Sequence, residues 1–181
     1  MNYGLYYKEV VFNRRAMEIV NRIISANYKW SQGNIHNGIQ SNRSSQIAWV
    51  GDKELLSMLL RMVKQINRQA RWNLNITGME AVQFGKYGEG DFYGWHIDEH
   101  KQPVNGNVRK ISMTLFLNED YEGGEFDLEI YKPETDPRYA TFKLKSGSAI
   151  FFQSDQWHRV RPIISGTRES LVAWFYGPPY S

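Results

Sequence analysis

From Met79 onward the apolar residues stop recurring at helical spacing and fall into short runs of Val, Ile, Phe, Tyr and Thr broken by Gly, Asn and Pro. Runs of that length are too short for helices, and their residue types favour a pleated, half-buried surface. Strands are expected at Glu80–Tyr87, Phe92–Ile97, Lys110–Leu117, Gly124–Ile130, Ala140–Leu144, Ser148–Phe152, Arg159–Ile163 and Glu169–Phe175. A series of short antiparallel strands buries its edges best as a jelly roll or a related sandwich.

The preceding segment reads differently. After a strand-like start from Tyr6 to Phe12, Met17, Val20, Ile23 and Ile24 mark an amphipathic helix that Asn13 can cap. Leu55, Leu59, Met62, Val63, Ile66 and Ala70 mark a longer one that Asp52 can cap. Between them, Ser31 to Ser45 carries Gly33, Gly38 and several Asn and Ser residues and is expected to be a loop. The expectation is one α+β domain over 1–181, with helical support over 1–78 packed on one sheet of a β core over 79–181.

The chain has no cysteine. Disulfides, iron–sulfur clusters and thiolate sites are excluded, and any metal must sit on imidazole and carboxylate. No stretch is apolar enough to span a membrane, and Met1-Asn2-Tyr3-Gly4 does not open a signal sequence, so a cytoplasmic location is expected. A net charge of +3 does not by itself call for a nucleic-acid partner. Arg61, Lys64, Arg68 and Arg71 form a basic stripe opposite the apolar face of the second helix, as a solvated outer face does.

His96 and Asp98 lie one residue apart at the end of an expected strand, where positions i and i+2 share a face. His158 opens a later β segment. Two imidazoles and one carboxylate on one side of an octahedral ion leave positions open, which suits Fe(II) that takes a cosubstrate and dioxygen. Downstream of His158 comes Arg168, placed between the turn-forming Ser165-Gly166 and the apolar strand Leu171–Phe175. A guanidinium there can bind a carboxylate bidentately and so anchor the far end of 2-oxoglutarate. The other histidines, His36 and His100, have no comparable context and read as solvent-exposed.

These residues sit in an ordered set of motifs: Tyr87-Gly88-Glu89-Gly90-Asp91-Phe92-Tyr93-Gly94-Trp95-His96-Ile97-Asp98, Arg109–Asn118, Tyr121-Glu122-Gly123-Gly124-Glu125-Phe126, Gly147–Phe152, His158-Arg159-Val160-Arg161-Pro162, and Gly166-Thr167-Arg168 with Trp174 beyond. From Val82 to Pro178 the chain resembles the prolyl 4-hydroxylase-like branch of the iron(II)/2-oxoglutarate oxygenases, and its closing residues look like small bacterial and phage-borne members. The resemblance implies a double-stranded β-helix, with Fe(II) on His96, Asp98 and His158 and 2-oxoglutarate on Arg168. It also implies that Tyr87 helps hold the cosubstrate and that Trp174 lines the pocket. Where some relatives carry a second tyrosine this chain has Phe116, and Thr114 on the same strand face is the substitute considered.

The implied reaction consumes O2 and 2-oxoglutarate, releases succinate and CO2 and hydroxylates a prolyl residue in a peptide or protein, with ascorbate as a reductant. Tyr93 and Trp157, next to the metal ligands, and the segments Glu99–Val108 and Lys132–Arg138 are candidates to face that substrate. Other readings are an oxygenase acting on a free amino acid, small molecule or nucleobase, a non-catalytic jelly-roll module, and a zinc hydrolase, for which no general base is evident.

Overall fold

The structure is a computed structural model and describes residues 6–33, 36–37, 40–131 and 137–180. Its first part comprises β1 (Tyr7–Val11), α1 (Arg14–Ile24), β2 (Ser31–Gln32), β3 (His36–Asn37), β4 (Gln40–Ser41), β5 (Arg43–Ser44), β6 (Gln46–Val50) and α2 (Lys53–Gln69). Then come β7 (Gly78–Met79), β8 (Val82–Tyr87), β9 (Phe92–His96), β10 (Val108–Phe116), β11 (Tyr121–Gly123) and β12 (Phe126–Glu129). The chain closes with β13 (Tyr139–Phe142), β14 (Ser148–Gln153), β15 (His158–Val160), β16 (Ile163–Gly166) and β17 (Arg168–Gly177).

Both helices start where the sequence places their caps. Asn13 Oδ1 accepts from Ala16 N and Asp52 Oδ1 accepts from Leu55 N, both at 2.9 Å. Each bond satisfies an amide that the first turn leaves unpaired. The helices lay Ala16, Val20 and Ile23, and Leu55, Leu59, Val63 and Ile66, against the main sheet. Burying each larger aliphatic side chain there contributes about 2 kcal/mol.

The main sheet runs β1-β14-β10-β17-β8-β6-β2, with β7 also paired to β17, and a second sheet runs β13-β12-β15-β9-β5. The pairings are antiparallel, and the two sheets form a jelly roll, a double-stranded β-helix. Alternation along the main strands separates two cores. Ile111, Met113, Leu115, Ala149, Phe151, Leu171, Ala173 and Phe175 face the helices. Phe116, Ile150 and Phe152 pack between the sheets with Phe126, Leu128 and Val160. A strand buried on both faces explains the unbroken apolar run Ala149–Phe152.

Three expectations are corrected. The segment Ser31–Ser45 includes the short strands β2 to β5, and β5 joins the second sheet by pairing with β9; backbone pairing with an existing strand edge overrides its polar, turn-rich composition. The expected strand Arg159–Ile163 is two strands, β15 and β16, interrupted at Arg161-Pro162, because proline has no N–H to donate to a ladder. Ser165-Gly166 are strand residues of β16 paired with β11, and Gly166 takes the positive φ of 79° that this close pairing requires. Among the described residues no helix is long and apolar enough to cross a membrane.

Candidate active site

The inward face of the main sheet is the exception to its apolar character. Gln83, Tyr87, Thr114, Arg168, Ser170 and Trp174 line a cleft that also receives His96, Asp98 and His158. Polar groups at core positions oppose burial unless they are bonded or serve a ligand, so this face marks the site.

His96 and His158 are direct cross-strand partners of β9 and β15, with ring centroids 4.1 Å apart. Asp98 lies beyond the end of β9 rather than on it, and its amide donates to Ser154 O at 2.9 Å. That bond turns the chain so that the carboxylate meets both rings. Asp98 Oδ1 is 3.5 Å from His96 Nε2, and Oδ2 is 3.3 Å from His158 Nε2. The ligand atoms of the three residues all lie within 4.8 Å of one another.

Both rings are oriented the same way. His96 Nδ1 donates to Gly94 O at 2.8 Å and His158 Nδ1 donates to Gln156 O at 2.9 Å. With the proton on Nδ1, each neutral ring turns an Nε2 lone pair toward a buried carboxylate. Lone pairs facing a carboxylate repel unless a cation lies among them, so the donor set fits a divalent metal. Burial, and then the charge of His158, lower the His96 pKa, which favours the neutral ligand form. Burial raises the Asp98 carboxyl, but the neighbouring imidazoles, His158 foremost, outweigh it and hold it well below the usual range, so Asp98 is a carboxylate.

Packing fixes the ligands further. Ser112 Oγ donates to Asp98 Oδ2 at 2.8 Å and lies 2.9 Å from Ser154 Oγ. Tyr93 stacks on His96, with centroids 3.5 Å apart and planes 7° from parallel. Burial and the charge of Asp98 raise its phenol pKa, so Tyr93 is neutral.

Arg168 is 1% exposed. Its Nη1 donates to Ser170 Oγ at 3.2 Å, while Nε and Nη2 are buried without a hydrogen-bond partner. The guanidinium lies over the Tyr87 and Phe116 rings at 5.6 and 5.3 Å, and among the described residues no carboxylate forms an ion pair with it. A buried cation left with free donors fits an anionic ligand in the same cleft.

Residues 82–176 match the 2OG-Fe(II) oxygenase superfamily. The chain belongs to that family. A PKHD-type hydroxylase of Picosynechococcus is 35% identical over 123 residues, covering 67% of this chain and 53% of that protein. The chain spans about half the length, or less, of the first curated relatives it matches. The fold matches a Pseudomonas putida prolyl-4-hydroxylase at a TM-score of 0.66 and 20% identity, over 99% of this chain and 96% of that one. A prolyl hydroxylase solved with a hypoxia inducible factor peptide fragment, from Trichoplax adhaerens, matches at 0.70 and 18%, over 97% and 86%.

The structure brings together in the cleft eight of the residues singled out from the sequence. His96, Asp98, His158, Arg168, Tyr87, Thr114, Trp174 and Tyr93 all line it. Trp157 does not: it is 46% exposed and shares a separate surface groove with Trp95, Glu129, Arg138 and Tyr139. Alternation along a strand sends the neighbour of an inward residue to the other face. His100 is half-buried, with Nε2 3.7 Å from Glu80 Oε1, while residues 101–106 after it are exposed. The His36 side chain and residues 132–136 lie outside the described residues, and Arg61, Lys64, Arg68 and Arg71 are exposed.

Sequence reasoning missed Ser112, Ser154, Ser170 and Gln83, all buried and polar. It also missed Arg43, which β5 places beneath Tyr93 with its guanidinium 4.6 Å from the ring centre. The usable signal was the alternation Ile111-Ser112-Met113-Thr114-Leu115, polar on the face that points inward.

Proposed function

We propose that this protein is an Fe(II)- and 2-oxoglutarate-dependent dioxygenase that hydroxylates prolyl residues of a peptide or protein. The single observation that carries the reading is the pairing, in one cleft, of a buried 2-His-1-carboxylate set with a buried guanidinium lacking its anion. His96, Asp98 and His158 would hold the metal, and Arg168 would bind the distal carboxylate of 2-oxoglutarate. When bound, Fe(II) and 2-oxoglutarate supply the oxidation, in which O2 is consumed, succinate and CO2 leave and a C–H bond becomes an alcohol.

The protein's part is positioning. Ser112 and the Ser154 carbonyl hold Asp98, the Gly94 and Gln156 carbonyls fix the imidazole tautomers, and Tyr93 braces His96. The apolar rings of Phe126 and Phe152 pack on His158 and keep water from that side. The prolyl preference draws support from the ordered motifs and from the prolyl hydroxylases among the structural neighbours.

Anaerobic titration of the metal-free protein with Fe(II) and 2-oxoglutarate tests the cofactor reading. A visible charge-transfer band is expected; Asp98→Ala abolishes metal binding, and Arg168→Ala weakens the cosubstrate instead. Folded protein that gives no band sinks the reading. Succinate release with proline-containing peptides, set against free amino acids and methylated oligonucleotides, decides the substrate.

A further inference from the structure

We infer that Tyr121 is a second anchor for the anion that Arg168 binds, so that a phenol and a guanidinium together hold the distal carboxylate of the cosubstrate. The inference rests on the proposed use of 2-oxoglutarate and assigns a residue that the sequence left without a role.

Tyr121 opens β11, which is paired with β16 at the edge of the roll, and it is 6% exposed. The backbone reverses immediately after it, with φ of 72° at Gly123 and 66° at Gly124. A Cβ on Gly124 would lie 3.2 Å from both Arg168 Cδ and Tyr121 Cε2. The missing side chain at Gly124 is what lets the tyrosine ring and the arginine stem close on one another.

Their polar ends are then left in the same condition. Tyr121 Oη is buried with no hydrogen-bond partner among the described residues, and so are Arg168 Nε and Nη2. A guanidinium can only donate, whereas a phenol can donate or accept; Arg168 lies close enough to lower the Tyr121 pKa by its charge and by hydrogen bonding, but no bond of good geometry joins the two. Neighbouring buried donors that lack an acceptor are rare in folded proteins, and an acceptor supplied by a ligand satisfies both.

The surroundings favour an anion. Lys143 Nζ lies 4.7 Å over the Tyr121 ring and donates to the Tyr121 carbonyl at 2.8 Å, adding a second positive charge behind the phenol. Burial raises the Tyr121 phenol pKa, against the lowering effect of Arg168, so the group keeps its proton and remains a donor. On β10 the ring beneath Arg168 is that of Phe116, which offers no hydroxyl. The donor comes instead from β11, by way of the Gly123-Gly124 reversal.

The test measures binding to the Mn(II)-loaded protein without O2, by calorimetry, for wild type and Tyr121→Phe. Two probes are used: 2-oxoglutarate, and 2-oxopentanoate, which keeps the chelating end but lacks the distal carboxylate. Wild type should prefer 2-oxoglutarate strongly. Tyr121→Phe should bind it about tenfold more weakly, the usual cost of one hydrogen bond to a charged group, and bind 2-oxopentanoate as wild type does. Equal 2-oxoglutarate affinity in both proteins, or equal losses for both probes, overturns the inference while leaving the proposed function standing. A wild type that shows no preference between the probes overturns the carboxylate anchor altogether. Unchanged circular dichroism and melting temperature show that Tyr121→Phe is folded.

Discussion

Ser112 Oγ donates to Asp98 Oδ2 at 2.8 Å, although the two residues reach the site from different directions, one on β10 and the other beyond β9. This bond leaves Oδ1 as the carboxylate oxygen without a hydroxyl donor and stops the carboxylate from rotating. Ser112→Ala should therefore weaken Fe(II) or Mn(II) binding about tenfold, as loss of a partner behind a metal ligand commonly does. Equilibrium titration with Mn(II) measures it, and wild-type affinity in the variant would show that the backbone bond to Ser154 is enough to hold Asp98.

Arg168 is a buried cation with two unpartnered donor nitrogens, so it costs stability in the ligand-free protein. Arg168→Leu should match or exceed wild type in melting temperature without ligands. It should also lose the stabilisation that metal plus 2-oxoglutarate confers, which for wild type is about 2.7 kcal/mol at a hundredfold excess over Kd. Thermal melts with and without the cosubstrate check this. A ligand-free variant that melts well below wild type would mean that Arg168 holds the fold.

Asp127 is fully buried on β12 and accepts from Arg159, Arg161 and Thr141 at 2.7 to 3.1 Å. Burial raises its carboxyl pKa, but the hydrogen bonds of Arg161, Thr141 and Arg159 outweigh burial and leave it lowered. A carboxyl lowered in the folded state contributes stability that is complete above its unfolded pKa of about 3.9 and is lost as pH falls through the folded value. Asp127→Asn should cost about 2 kcal/mol at pH 7, with both arginines able to turn to water. The gap between variant and wild type should narrow as pH drops below about 4. Urea unfolding at both pH values reads the difference, and a pH-independent gap would contradict the argument.

The jelly roll was legible because strand periodicity is a local property. Val82, Phe84, Ile111, Met113 and Leu115 alternate along their own strands, whatever lies across the sheet. The caps at Asn13 and Asp52 were legible for the same reason, since a side chain three residues from an amide acts without tertiary help. Family motifs carried His96, Asp98, His158 and Arg168, whose spacing alone would have been weak.

What the sequence determined by itself was therefore the fold class, the two helices and the three residues that meet in the candidate metal site. Only the tertiary structure decided that β5 leaves the polar Ser31–Ser45 segment to bring Arg43 under Tyr93, and that Trp157 faces away from the cleft. It also decided that Tyr121 meets Arg168 across Gly124. Each of these depends on which strands become neighbours, and that is set by the burial of surfaces far apart in the chain, which no local pattern encodes.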